Sequence, residues 1–457
     1  MTRPALRVTW VQPEDLVRHE LWQAAQEGRD VEAVRARWAV AWDGPLDPPY
    51  VGASPDVAGP AQRALAEELL TELDALPDPG ADREPSDWPA IRDAIAATAP
   101  TRAASPADLD RLHAAWLGRA VGCVLGKPVE KVPREGIEAI LRSTGRWPLD
   151  RWFTAVGLAP DVAERWPWNR ASRTTSLEEN LDGTPEDDDI NYTLMALRVL
   201  EQHGAGFTPD DVANGWLLDL PAGRAFTAER VAYRNLLEGL TPPDTARVRN
   251  PFREWIGAQI RTDLYGWVSA GDPLRAAEWA WRDASVSHTR NGLYGAMFTA
   301  AMGSEAVRGS DIDTVLDVGA SVIPPRSRMA GAVALGRDLA ASTSDPTEAY
   351  VALEREYTGH HWVHVLNNAA LVAYALAASG GDFDRAVSLT VMGGWDTDSN
   401  GATVGGIAGA LGGTSAITAR WSEPLRGRVS SSLPGADGAT FTELAERTHA
   451  VATGARP

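Results

Sequence analysis

Apolar residues recur along most of this chain at intervals of three and four, the spacing that lines one face of a helix. Between residues 15 and 42 they fall at Leu16, Leu21, Ala24, Val31, Val34, Trp38 and Ala41, which predicts a helical run. A second helix is predicted over 60–76, with Ala61, Leu65, Leu69, Leu70 and Leu73 on one side. Loops rich in Pro, Gly and Asp at 43–59 and 77–89 surround it, and the small, polar stretch 98–106 reads as a linker. From residue 107 the pattern predicts helix after helix: 107–126, 188–203, 209–218, 228–237, 273–283, 293–302, 311–322, 326–341, 345–357, 368–378, 383–392 and 401–412. Period-two alternation is scarce, so any strands should be short and peripheral. The expected fold class is all-α: a helical N-terminal extension over 1–104, of unassigned role, and a compact multi-helix domain over 105–457.

Two of these helices carry glycine at every fourth position: Gly118, Gly122 and Gly126 in one, and Gly401, Gly405, Gly409 and Gly413 at the other. A glycine inside a helix costs about 1 kcal/mol against alanine. Stripes of it therefore predict two helices in very close approach. Packed antiparallel, they would set Glu130, just past the first, beside Asp396 and Asp398 at the start of the second.

Composition narrows the function classes. With 44% hydrophobic residues in 457, the chain can build a large core. A formal net charge of -19 repels phosphate backbones, so nucleic acid is not the expected partner. Cys123 is the only cysteine, which excludes internal disulfides and cysteine-rich zinc sites. The start lacks a signal-peptide apolar core, and no apolar run of about 18 residues occurs, so a cytoplasmic protein without membrane spans is expected. Basic residues are almost all arginine; the only lysines are Lys127 and Lys131. Oligomeric state is not legible at this level.

Three segments can carry chemistry. In 184–193, Thr184 reads as a helix N-cap with Pro185 at the first helical position, yet Glu186, Asp187, Asp188 and Asp189 are more acid than capping needs. Four adjacent carboxylates repel one another unless a cation is near. In 393–400, Asp396, Asp398 and Ser399 offer hard oxygen ligands at a loop leading into a helix, as magnesium and calcium require. The first glycine helix ends at Pro128, and Glu130 follows. A His361-x-x-His364 pair could ligate zinc but lacks the glutamate of the HExxH arrangement, and the histidines, His288 among them, are better suited to substrate than to a hard ion.

In this order the segments resemble those of the ADP-ribosylglycohydrolase family, which includes dinitrogenase reductase-activating glycohydrolases and ADP-ribosyl-acceptor hydrolases. Gly122 to Glu130 resembles its glycine-spaced helix ending in glutamate. Asp187-Asp188-Asp189-Ile190 with Thr193 resembles its Thr-Asp-Asp-Thr motif, and Gly393-Gly394-Trp395-Asp396-Thr397-Asp398-Ser399 its Gly-Gly-Asp-x-Asp-Thr motif. Residues 256–261 resemble the segment that helps hold substrate, and His288 the histidine that follows it. The resemblance spans about 107–415. It implies an all-α domain holding Mg2+, two ions at its centre, with Mn2+ or Ca2+ as alternatives. Its ligands would be Asp187, Asp188, Asp189, Asp396, Asp398 and Ser399, its catalytic residues Glu130, Asp188 and Asp398, and its substrate-binding residues Gly257, Gln259, Arg261, His288 and Trp395. The implied reaction is hydrolysis of a ribosyl glycosidic bond, removing ADP-ribose from a protein or small-molecule acceptor.

Several positions depart from the family pattern. Cys123 stands where the family has aspartate, Asp187 and Ser399 replace threonines, Trp395 is inserted, and 256–261 lacks a glycine-rich loop. These changes leave open a smaller riboside, a nucleoside or nucleotide, as substrate. A non-catalytic binder of ADP-ribose or a related metabolite is a second class, against which the retained aspartates and Glu130 argue. Two-metal phosphoester hydrolysis is a third, disfavoured by the motif order. Several of the eighteen tryptophans, among them Trp255, Trp267, Trp362 and Trp395, lie in or near these segments and could stack on a base.

Overall fold

The computed structural model describes residues 7–55, 57–96, 98, 107–169 and 172–454. The expected boundary at 104/105 and nearly all of the linker lie outside the described residues. The described chain is all-α. It contains no strand, only isolated bridges at Thr184–Val429, Trp255–His364 and Arg428–Thr440.

The glycine helices, Leu109–Gly126 and Thr397–Gly412, form the spine of the molecule. They run antiparallel with backbones in contact: a Cβ on Gly118, Gly122 or Gly126 would overlap the backbone of Gly405, Gly401 or Thr397. Gly409 faces the Ala114 carbonyl in the same way, whereas Gly413 lies past the helix end with φ +70° and caps it. The Thr397 hydroxyl donates to the Gly126 carbonyl at 2.8 Å, tying the start of one helix to the end of the other. Around the spine pack Arg290–Ala306, buried along its whole length, and Val365–Ser379.

Local chemistry explains where the elements depart from the sequence pattern. The run expected over 15–42 is two helices, Pro13–Gln26 and Glu32–Ala41, because Gly28 turns the chain at φ +82°. Helix Trp88–Ile95 begins inside the expected loop; Pro89 falls in its first turn, where proline costs no hydrogen bond. Helices Arg134–Ser143, Pro160–Arg165 and Phe441–Thr453 were not among those predicted. The acidic helix starts at Asp188 with Asp187, not Thr184, as its cap: the Asp187 carboxylate accepts from the Asp189 N–H at 3.0 Å. Thr184 is engaged instead with the 428–430 segment.

The segment before residue 96 packs against the helical body through buried charges. Arg253 bonds both carboxylate oxygens of Glu20, at 2.7 and 2.9 Å, and both of Glu27, at 2.8 and 2.9 Å. Arg290 binds Asp78 and Glu84, and Arg328 binds Glu84 and Glu254.

Candidate active site

The glycine contacts decide where the acids meet. Because the helices touch at Gly126 and Thr397, Glu130 is brought to Asp396 and Asp398, with one oxygen of each within 4.8 Å of the others. Asp187 and Asp189 form a second group of the same tightness with the Cys123 sulfur. The Ser399 hydroxyl joins the two sides, donating to Asp189 Oδ2 at 3.4 Å. Glu130, Asp187, Asp188, Asp396, Asp398 and Ser399 line one cavity of about 520 Å³. Asp189 stands behind it, buried.

Burial and mutual repulsion raise the affinity of this cluster for protons. Asp398 is pushed up to about 7 by burial and by Glu130 and Asp187. Asp188, Asp189 and Asp396 are also raised, first by burial and then by neighbouring carboxylates. Asp187 is the exception. The Lys127 ammonium forms an ion pair with it and outweighs its burial, holding its carboxyl below the usual range. Lys131 bonds Glu130 at 2.9 Å, and Asn169 Nδ2 donates to the same carboxylate at 2.5 Å. Arg119, fully buried, binds Asp189 at 3.3 Å and also Asp263, whose carboxyl burial raises to about 6. Glu130, Asp396 and Asp398 are an all-oxygen donor set that fits magnesium or calcium. The other group fits less well, since burial and the nearby aspartates push the Cys123 thiol up and keep it protonated.

Backbone strain gathers at the same place. Among the described residues, seven non-glycine residues have positive φ. Three of them line the cavity: Trp10 (63°), Lys131 (73°) and Thr227 (43°). A fourth, Trp395 (60°), precedes Asp396. Such conformations cost about 1–3 kcal/mol each and persist where the surroundings dictate them.

The substrate-binding set expected from sequence is only partly assembled on the cavity. Gly257 lines it. Gln259, Arg261 and His288 do not; they lie in the core behind that wall. The Arg261 guanidinium is satisfied there by Glu229 and by Asp283 (2.5 Å), and the Ser287 hydroxyl lies 3.0 Å away. A buried guanidinium needs such partners, which is why it turns from the cavity. His288 Nδ1 is 2.8 Å from the Ser287 hydroxyl, and its burial disfavours the charged ring. Trp395 is half-buried, edge-on to Tyr357, and off the cavity wall. Glu229, which does line the cavity, links this buried group to it. Sequence reasoning missed Glu229, Asn169, Arg224, Phe226 and Trp10 on the wall. Lys127 and Lys131 were visible as the only two lysines, and both stand at the cavity.

An all-helical body in which two glycine-striped helices deliver clustered carboxylates to one cavity defines an α-class protein with a cation-receptive acidic site. A sequence profile of the ADP-ribosylglycohydrolase family matches residues 104–457, and the chain belongs to that family. It is therefore a glycosyl-bond hydrolase by family, one of a generally metal-dependent kind. One solved structure similar to it is titled "ADP-ribosylglycohydrolase-related protein complex": 23% identity, TM-score 0.44, over 76% of this chain and 98% of that one. No curated protein matches the sequence. No described helix is long and apolar enough to cross a membrane.

Proposed function

We propose that this chain hydrolyses the bond between the anomeric carbon of a ribosyl group and its acceptor, on an ADP-ribosyl compound or a smaller riboside, with magnesium as cofactor. The observation that carries this reading is the convergence of Glu130, Asp396 and Asp398 at the floor of a ligand-sized cavity. These three would hold one ion, and Asp188, Asp189 and Ser399 are the donors for a second. A bound divalent cation supplies charge that orients ribose hydroxyls and water.

The chain's own residues do the rest. The Asp188 carboxylate lines the cavity, and with bound cations offsetting the charge of its neighbours it would accept a proton from the attacking water. As the water oxygen bonds to the anomeric carbon, the bond to the acceptor breaks, and the proton taken by Asp188 is returned to the departing group. Glu130, fixed by Lys131 and Asn169, positions the ribose. Arg261 acts from behind the wall, holding Glu229 in place.

Calorimetric titration of the metal-stripped protein with magnesium, then with ADP-ribose, tests the reading. Tight magnesium binding followed by magnesium-dependent ADP-ribose binding is expected. Magnesium binding alone redirects the substrate to smaller ribosides. No binding of any divalent ion overturns the metal assignment.

A further inference from the structure

The family match begins at residue 104, yet the cavity wall includes Trp10. The early segment is seated in one register. Besides the Arg253, Arg290 and Arg328 pairs, the Trp281 indole donates to the Ser86 carbonyl at 2.8 Å and the Tyr294 hydroxyl to the Pro85 carbonyl at 2.5 Å. Charges buried this deeply tolerate little sliding, because a displaced pair leaves a charge without its partner.

Trp10 itself is held in place by its neighbours while lining the cavity. Its N–H donates to the Gly52 carbonyl at 2.6 Å, and a Cβ on Gly52 would overlap its ring. The indole stands edge-on to Phe252 (5.3 Å, 85°) and Trp255 (5.6 Å, 81°). Its backbone is left-handed, which a bulky residue adopts only when its surroundings impose it. The same segment sets a second aromatic wall. Trp362 Nε1 donates to the Tyr50 carbonyl at 3.1 Å, the Tyr50 hydroxyl to the Lys131 carbonyl at 2.9 Å, and Lys131 Nζ lies 5.3 Å over the Trp362 ring. The cavity lining thus combines two chemistries: the carboxylates, and the aromatic side chains of Trp10, Trp362 and Phe226.

We propose that the N-terminal segment completes the substrate site, and that Trp10, with Trp362, receives a planar heteroaromatic ring carried by the ribosyl substrate. This rests on the ribosyl-hydrolase reading for the carboxylate side. An aromatic wall accepts any planar ring, since every base offers a π-face. The ring is either the base of a nucleoside or the adenine of an ADP-ribosyl group. A cavity of about 520 Å³ falls in the range of small-ligand sites.

The test uses the full-length protein with magnesium. Equilibrium binding of adenosine, ADP-ribose and methyl riboside, which has no ring system, is measured for wild type, Trp10→Ala and Trp10→Phe, with circular dichroism to check each fold. In Trp10→Ala the preference for adenosine or ADP-ribose over methyl riboside should fall roughly tenfold to a hundredfold. Trp10→Phe should restore most of it. Loss for adenosine assigns the ring to a nucleoside; loss for ADP-ribose alone assigns it to the adenine of that group. A preference unchanged in folded Trp10→Ala, or an equal loss for all three ligands, overturns the proposal. Ring-dependent binding that needs Trp10, with no cleavage of the glycosidic bond of adenosine or of an ADP-ribosylated acceptor, would sustain the wall and sink the hydrolase reading. Hydrolysis without any ring preference would do the reverse.

Discussion

Replacing Lys127 by methionine isolates the role of the ammonium set among the carboxylates. Methionine keeps most of the length and removes the charge. Both partners are nearly buried, with 10% of the Lys127 side chain and 9% of the Asp187 side chain exposed. Lys127 Nζ also donates to the Glu186 carbonyl at 3.3 Å. Removing one member of a buried pair costs about 3–5 kcal/mol, because the other charge stays unpaired. The residual exposure places this pair at the lower end, about 3 kcal/mol. The loss should appear in metal-free denaturant unfolding. A divalent cation can then take over the neutralising role. At a hundred times its dissociation constant a ligand stabilises by about 2.7 kcal/mol, enough to offset most of the loss. Magnesium should therefore stabilise Lys127→Met more than wild type, narrowing the gap between them. The reasoning fails if the variant is as stable as wild type without metal, or if magnesium stabilises both equally.

Three further predictions rest on separate contacts. Gly122→Ala gains about 1 kcal/mol of helix propensity but drives a Cβ into the Gly401 carbonyl, and overpacking of that kind costs about 1–3 kcal/mol or more. Net destabilisation with weakened magnesium binding is expected, and a wild-type melting curve would contradict the close approach. Asp188→Ala and Asp398→Ala should each abolish turnover and weaken magnesium binding while leaving the helical circular dichroism intact; full activity in both would refute the site. Glu84 is raised by burial but held down to about 2 by Arg328 and Arg290. Its folded value lies below its unfolded one, so its stabilisation is present above pH about 4.5 and is lost as the pH falls toward 2. The shift is worth at most about 3 kcal/mol. Wild type should lose this increment on acidification, measured as melting temperature against pH, whereas Glu84→Gln should show a flatter profile; identical slopes would rule out the linkage.

The helical class, the glycine-striped pair and the two acidic segments were legible in the sequence because each depends on local spacing. Four-residue glycine periodicity dictates close helix approach wherever the helices lie, and Asp-rich helix starts carry their charge with them. The meeting of Glu130 with Asp396 and Asp398 followed from that spacing once the helices were taken as antiparallel. Helix ends were less legible. Gly28 divides one run, and Pro89 opens a helix rather than extending a loop, because the effect of each residue depends on its exact place in the turn. Tertiary structure alone decided the rest. Arg261 and His288 look like ligand-binding residues in sequence, but the distant Glu229 and Asp283 hold the arginine in the core. The pairing of Lys127 with Asp187 joins segments that share no local pattern. Trp10 lines the cavity in a segment whose buried carboxylates, Glu20, Glu27 and Glu84, meet arginines far along the chain. A charge pattern shows that such groups need partners; which partner each one finds is set by the packing that takes them out of water.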